Sequence, residues 1–395
     1  MKIWLKAGSE KQVRRHHPWI FSGAIQKVEG QPGNGDVVEV LDHASSHVGW
    51  GFYSPNSQIR VRLASWSKYP DQDWLQQRLT QAILRRRELL AGGTTTLRLV
   101  FSEADGIPGL IADLLDKTLI LQADTAGAER LVDNASTLLE KLLTPCTNLV
   151  SILEKSDGDG RSLEGLAPKH RLLKGIQDPF TFHENGLVYA GTSTQKTGHY
   201  CDLREVRLHI RSYCRGKSVL DGFCHTGGMG LNALAAGARS VCFIDQSETA
   251  LDLARQNVQL NHFQQPQTEF LRGDVFDMLR QLQRQDRKFD VVILDPPKLA
   301  ARKEHVPKAL KAYKDLALNG FKLLTEAGLL ALFSCSASIQ KADLVTACTF
   351  AAWDLGINSY VVDEFRQSSC HPVSLYFPQS QYLCGILVQK GEILL

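Results

Sequence analysis

The sequence predicts an α/β protein whose C-terminal half is a mostly parallel sheet covered by helices on both faces. From about residue 191 onward, apolar strand-like runs alternate with amphipathic helical stretches, and the strands are continuously apolar. That is the pattern of strands buried on both faces. The first 72 residues have a different texture, with short segments at Trp19-Ile20-Phe21, Val37 to Leu41, Gly49 to Tyr53 and Ile59 to Leu63 broken by Gly and Pro. They predict a small antiparallel barrel. Residues 73–190 mix both textures and read as a small central α/β domain, giving segments of 1–72, 73–190 and 191–395.

In the central segment, DWLQQRLTQAILRRRELL places Leu75, Leu79, Ala82, Ile83, Arg86 and Leu90 at helical spacing, and Arg85-Arg86-Arg87 reads as a helix surface. Strand-like pieces follow at Leu97 to Phe101, Thr118 to Gln122, Leu149 to Leu153 and Leu187 to Ala190, with a helix over 128–143. In the last segment the strands are SVLDGF, SVCFID, TEFLRGD, FDVVILDPP and GLLALFSCS, each followed by a helical stretch, and SYVVDEF and YLCGILVQK close the chain.

A chain of 395 residues exceeds what one core usually serves, in line with two or three domains. The apolar fraction of 43% and charged fraction of 22% are those of a soluble globular protein. A net charge of +3 means that nucleic-acid binding must come from local patches. Nine cysteines without a C-x-x-C pair argue against structural zinc and against a disulfide scaffold, and suit a reducing cytosol. The segment MKIWLKAGSEKQVRRHHP has no signal-peptide core, and no apolar run is long enough for a membrane span. The expected location is the cytoplasm, with no metal and no membrane partner. Oligomeric state is left open, a homodimer included.

Ligands of parallel sheets bind at the carboxyl ends of the strands. Here the first strand ends in Asp221-Gly222-Phe223-Cys224-His225-Thr226-Gly227-Gly228, the second in Asp245, the third in Gly273-Asp274, the fourth in Asp295-Pro296-Pro297-Lys298 and the fifth in Ser334-Cys335-Ser336. One such aspartate is commonly a turn former or a helix cap. Four on one edge, beside a glycine turn, point to a ligand. A dinucleotide would want its glycines tight against the first strand. The only G-x-G-x-x-A match here begins at Gly228, seven residues after Asp221, and reads as helix packing. Asp245 suits ribose hydroxyls, Asp274 an adenine amine, and acids would repel a phosphate. The cofactor reading is S-adenosylmethionine (SAM).

DGFCHTGG, FID, GDVF, DPPK and FSCS, in this order, resemble the motifs of class I methyltransferases. The whole chain resembles the bacterial large-subunit ribosomal RNA cytosine-5 methyltransferase I family. The matches are RRHHPWIFSGAI and GFYSPNSQIRVR in the barrel, SEADGIPGLIAD and EKSDGDGRSLEG in the middle, then QKTGHYCDLRE, YKDLALNGFKLL and FRQSSCHPV. The resemblance implies a PUA-like RNA-binding barrel, a central domain and a Rossmann-like methyltransferase domain with a seven-stranded, mostly parallel sheet. It also implies a ribosomal RNA partner. The chain departs from the family pattern at His225, Leu203 and Cys384. With the resemblance, the cofactor set is Asp221, Phe223, Thr226, Gly227 and Gly228 at the first turn, then Asp245, Asp274, Val275 and Asp295. Tyr200 and Arg204 join it from QKTGHYCDLRE, and Lys196 is expected to shape the same site.

Carbon 5 of cytosine becomes nucleophilic only after a thiolate adds at carbon 6, and an acid near N3 eases that addition. Cys335 is the expected nucleophile and Asp295 the acid, with Lys298 lowering the thiol pKa or holding a phosphate. A free cysteine is more often a small buried hydrophobe, and Cys224 and Cys201 are the rivals. Two other readings stay open: a methyltransferase acting on an exocyclic nitrogen, and a non-catalytic RNA-binding or ribosome-assembly module. For RNA contacts, Lys2, Lys6, Lys11, Arg14 and Arg15 crowd the barrel, with Arg60 and Arg62 alternating on one strand.

Overall fold

The computed structural model describes residues 1–176, 179–191, 199–263, 267–300 and 302–393. Lys196 lies outside them. The chain divides into two compact units. The first holds 1–183, 191–201 and 370–380, and the second holds 184–190, 202–369 and 381–395.

In the first unit six strands form one sheet in the spatial order Trp19–Phe21, Ile59–Ser65, His47–Tyr53, Val37–Leu41, Lys2–Leu5, Ile25–Glu29. Alternate residues (Ile3 and Leu5, Val38 and Val40, Val61 and Leu63) point into one apolar core, as the period of a half-buried strand requires. A five-stranded sheet follows, ordered Lys169–Lys174, Ser151–Ser156, Thr118–Ala123, Leu110–Leu115, Thr96–Phe101, with helices at Gln72–Arg85 and Ala126–Leu143.

Contacts join the barrel to the five-stranded sheet and its helices within the first unit. Arg62 of the barrel pairs with Glu103 at 2.7 Å and Glu164 at 3.4 Å, and a Cβ on Gly127 would stand 2.3 Å from the Phe52 ring. Burial alone would raise Glu103, but Arg62 and the Ser102 and Trp19 donors outweigh it and hold the carboxyl below its ordinary range. Arg62, expected among the RNA contacts, is therefore an internal ion-pair residue. Arg86 also differs from expectation. The helix breaks there, and its fully buried guanidinium forks onto Asp105 at 2.7 and 2.8 Å and reaches the Cys370 carbonyl at 2.8 Å.

The second unit is a seven-stranded sheet: β1 (Ser218–Gly222), β2 (Ser240–Asp245), β3 (Thr268–Arg272), β4 (Phe289–Leu294), β5 (Leu324–Ser334), β6 (Ile357–Arg366) and β7 (Cys384–Ile393). The order is β3-β2-β1-β4-β5-β7-β6. The pairs from β3 to β5 are all parallel, and β7 runs antiparallel to both β5 and β6. Helices α1 (Arg204–Ile210), α2 (Gly228–Ala235), α3 (Glu248–Leu260), α4 (Val275–Arg284), α5 (Val306–Leu323) and α6 (Lys341–Leu355) flank it. The sheet order reverses between β1 and β4, which marks the ligand edge at their carboxyl ends. Among the described residues no helix is long and apolar enough to cross a membrane.

Candidate active site

The turn after β1 is shaped by three left-handed residues: Phe223 at φ 63°, His225 at φ 50° and Gly227 at φ 82°. The first two carry side chains in a region that costs about 1 kcal/mol or more each, so surrounding bonds must hold them. Cys224 N donates to the Ile244 carbonyl at 3.0 Å, and His225 N donates to Asp245 Oδ2 at 2.9 Å. Asp221 is buried beneath the turn, and its Oδ2 accepts from Gly230 N at 2.8 Å. Burial first, then Asp245, pushes its pKa up to about 7. Thr226 is buried, its carbonyl accepting from Asn257 Nδ2 at 3.0 Å. Gly230 stays a packing residue: a Cβ there would stand 2.2 Å from Phe243.

The other expected cofactor residues divide by role. Asp245 stands at the carboxyl end of β2, with Oδ1 accepting from Ser247 N and Oδ2 from His225 N, both at 2.9 Å. Each oxygen keeps a further lone pair for a hydroxyl. Asp274 is exposed and caps α4 through Phe276 N at 2.9 Å. The Val275 side chain lies in the core at 2% exposure, leaving only its main chain for a ligand. Phe223 meets Phe276 edge-on at 6.0 Å. Gly228 opens α2 beside Arg207. Tyr200 is exposed and belongs to the first unit, whereas Arg204 belongs to the second.

The register of β4 and β5 places the expected acid and nucleophile at one edge of the sheet. Leu294 pairs with Leu332, so Asp295 is level with Phe333 and Cys335 leaves the same edge two residues later. Cys335 Sγ lies 3.9 Å from the Pro296 carbonyl. Asp295 keeps partial solvent access, yet burial first, then Asp202 and Asp221, pushes its pKa up to about 7. Cys335 is also partly accessible, while Cys224 and Cys201 are buried at 6% and 1% exposure. Burial, followed by Asp295 and Asp202, pushes the Cys335 thiol up to about 12. Lys298 acts in the expected direction, but its effect is the smallest and is overridden.

Comparison with known proteins decides the family. The chain is 38% identical over 395 residues to ribosomal RNA large subunit methyltransferase I of Aeromonas hydrophila, covering 98% of each. It is 36% identical over 398 residues to the protein of the same name from Shigella flexneri, again covering 98% of each.

The chain belongs to the ribosomal RNA large subunit methyltransferase I family.

Residues 3–66 match the PUA-like domain model, and residues 206–334 match the model described as conserved hypothetical protein 95. A Streptococcus mutans structure named as a SAM-dependent methyltransferase superposes with a TM-score of 0.83 at 20% identity, covering 98% of this chain and all of that one. Another methyltransferase structure, complexed with SAH, gives the same TM-score at 21% identity. The fold of this family member is that of SAM-dependent methyltransferases. Within it the sequence reading missed one group, Asp202, whose charge acts on both Asp295 and Cys335. Its only sequence signal is its place in QKTGHYCDLRE. The structure ties that motif to FRQSSCHPV, because Ser368 N donates to the Asp202 carbonyl at 2.7 Å and Glu205 N donates to Ser368 Oγ at 3.0 Å.

Proposed function

We propose that this chain transfers a methyl group from SAM to carbon 5 of a cytosine in large-subunit ribosomal RNA, with Cys335 as the nucleophile. The observation that carries the reading is a partly accessible thiol leaving the sheet edge beside Asp295, while the rival cysteines are enclosed. The donor set fits the cofactor: Asp245 for ribose hydroxyls, Asp274 for the adenine amine, and the turn from Phe223 to Gly228 at the switch point. SAM when bound supplies an electrophilic methyl.

Cys335 Sγ bonds to carbon 6, and the C5–C6 π pair becomes available at carbon 5 to take the methyl. The carbon-5 proton then leaves, the double bond re-forms and the C6–S bond breaks. An Asp295 pKa of about 7 keeps much of this carboxyl protonated at neutral pH, able to donate to N3 as charge builds there. A neutral Asp295 no longer repels the thiolate, so the hydrogen bond to the base and the ionisation of Cys335 support each other. Lys298 is exposed and suits an RNA phosphate. Residues 1–72 act as the RNA-binding part, 73–190 as the central domain and 191–395 as the catalytic domain.

RNA carrying 5-fluorocytosine at the target tests the reading, since fluorine cannot leave as a proton does. A SAM-dependent covalent adduct mapping to Cys335 is expected. An adduct on Cys224 or Cys201 would relocate the nucleophile. A methyl group on an exocyclic nitrogen of natural RNA would replace the chemistry altogether.

A further inference from the structure

A cavity of about 430 Å³ opens in the second unit where β6 ends and where β7 and α6 begin. Its lining includes Gln340, Lys341, Arg366, Gln381, Tyr382 and Cys384. None of them belongs to the cofactor turn or to the pair formed by Asp295 and Cys335.

The register puts this cavity on the reacting edge. Arg366 pairs with Cys384 and Cys384 with Ser334, so they form one row across β6, β7 and β5, with side chains on the same face. Neighbouring strands lie about 4.7–4.9 Å apart, so the Arg366 backbone stands roughly 10 Å from that of Ser334, and Cys335 comes next. The cavity is also tied to the loop that carries the thiol. Cys384 Sγ donates to the Ile339 carbonyl at 3.7 Å, and Ile339 N donates to the Ser336 carbonyl at 2.9 Å. The Tyr382 hydroxyl donates to Asp202 Oδ2 at 2.5 Å, and Asp202 is one of the charges that act on Cys335.

The lining carries one unmatched charge. Lys341 and Glu364 neutralise each other at 2.7 Å. Arg366 is exposed, and its side chain has no ion pair or hydrogen bond among the described residues. Gln381 offers an exposed amide. Gln340 accepts from the main chain in the capping box of α6, which leaves its amide NH2 to donate.

A guanidinium matches a phosphate, side-chain amides match the edge of a base, and a tyrosine ring gives it a face to stack on. A simple anion would use Arg366 alone and leave most of the volume empty. A base that reaches Cys335 must leave its stack, so the nucleotide beside it loses a stacking partner and needs another. We propose that this cavity holds the RNA nucleotide next to the target cytosine, with Arg366 on its phosphate and Gln340 and Gln381 on its base. This rests on the RNA reading above and adds to it a second point of grip on the substrate strand.

Ethylation interference with the full chain tests it, using a transcript of large-subunit ribosomal RNA sparsely ethylated on its phosphates, each ethyl group removing one charge. The parent chain should bind poorly those molecules ethylated beside the cytosine that it methylates, and Arg366→Ala should bind them as well as any others. Arg366→Ala should also weaken binding of the unmodified transcript by about 3–30-fold and lower its salt slope by about one. Gln381→Ala should weaken binding without changing the slope. SAH affinity should move by less than about twofold in both variants, which reports an intact fold. The same interference pattern for the parent and Arg366→Ala overturns the inference. Should that variant not fold, the parent still decides, because a pattern with no interference beside the methylated cytosine is equally fatal. A parent chain that methylates no cytosine of the transcript sinks the RNA reading itself, a different failure from one confined to the cavity.

Discussion

Cys335 Sγ lies 3.9 Å from the carbonyl oxygen of Pro296, the residue directly after Asp295. The peptide that places the acid thus also offers the thiol an acceptor, and a thiol that donates is one that keeps its proton. With its pKa pushed up to about 12, Cys335 should react slowly with iodoacetamide at pH 7, its rate rising about tenfold per pH unit well above pH 9. Asp295→Asn removes a repelling charge and should speed alkylation at fixed pH. Mass mapping of the alkylated site is the measurement. Modification of Cys335 at pH 7 as fast as exposed Cys146 would show that the thiol is not held protonated.

Cys335→Ala should keep cofactor and RNA binding while turnover falls at least about a thousandfold, roughly 4 kcal/mol of barrier. Steady-state methyl incorporation alongside calorimetry separates the two effects. Near-normal methylation at carbon 5 by this variant would remove the nucleophile assignment.

Asp221 should make the fold less stable as pH rises. Its pKa of about 7 in the folded chain lies above its ordinary value of 3.8. Between those values the unfolded chain has already lost the proton that the folded chain keeps, so stability falls from about pH 4 to about pH 7 and stays lower above. Asp221→Asn cannot ionise and still offers an oxygen to Gly230 N. It should be more stable than the parent by about 1–3 kcal/mol at pH 8, and nearly equal to it at pH 4.5. Urea unfolding at both pH values measures this, and equal differences at both would mean that ionisation is not the cause.

Gly230→Ala should destabilise the second unit by about 1–3 kcal/mol or more, because the new Cβ would meet Phe243 at 2.2 Å and Val241 at 2.8 Å. Gly237→Ala is the control: no atom lies within 4 Å, and only its φ of +85° is strained. Thermal unfolding of both variants separates overpacking from backbone strain.

Charge reversal at Lys11 and Arg15, both exposed, should weaken RNA binding and flatten its salt dependence without altering stability. Arg62→Ala should do the opposite, costing stability because Glu103 and Glu164 lose their shared cation, while leaving the salt slope alone. Filter binding over a salt series distinguishes them. Arg14 and Lys2 are weaker candidates, being paired with Asp42 and Glu39.

The catalytic sheet was legible because its strands are buried on both faces, so their apolar runs announce themselves, and because Asp295 and Cys335 sit where any parallel sheet presents its ligand edge. Lys2–Leu5 and Ile25–Glu29 were not, since both are short and carry charged residues, and Ile25–Glu29 lies at the edge of its sheet. Arg86 looked like helix surface because spacing alone cannot reveal that a helix stops at a buried guanidinium. Asp202 escaped for a related reason. Its importance comes from Ser368 and Tyr382, more than 160 residues away in the chain, and no local pattern encodes such a meeting.

The Arg86 guanidinium donates to the Cys370 carbonyl across 284 residues of sequence. The first unit therefore draws residues 370–380 from close to the far end of the chain. At synthesis rates of about 5–20 residues per second, Arg86 would wait roughly 15–60 s for that carbonyl to be made. The N-terminal half is translated first but cannot be completed until most of the second unit has been made. Its last piece arrives only after the intervening strands of the second unit have been made, so the two halves are bound to one schedule of assembly, and a chain truncated before residue 370 would leave an interior charge one acceptor short.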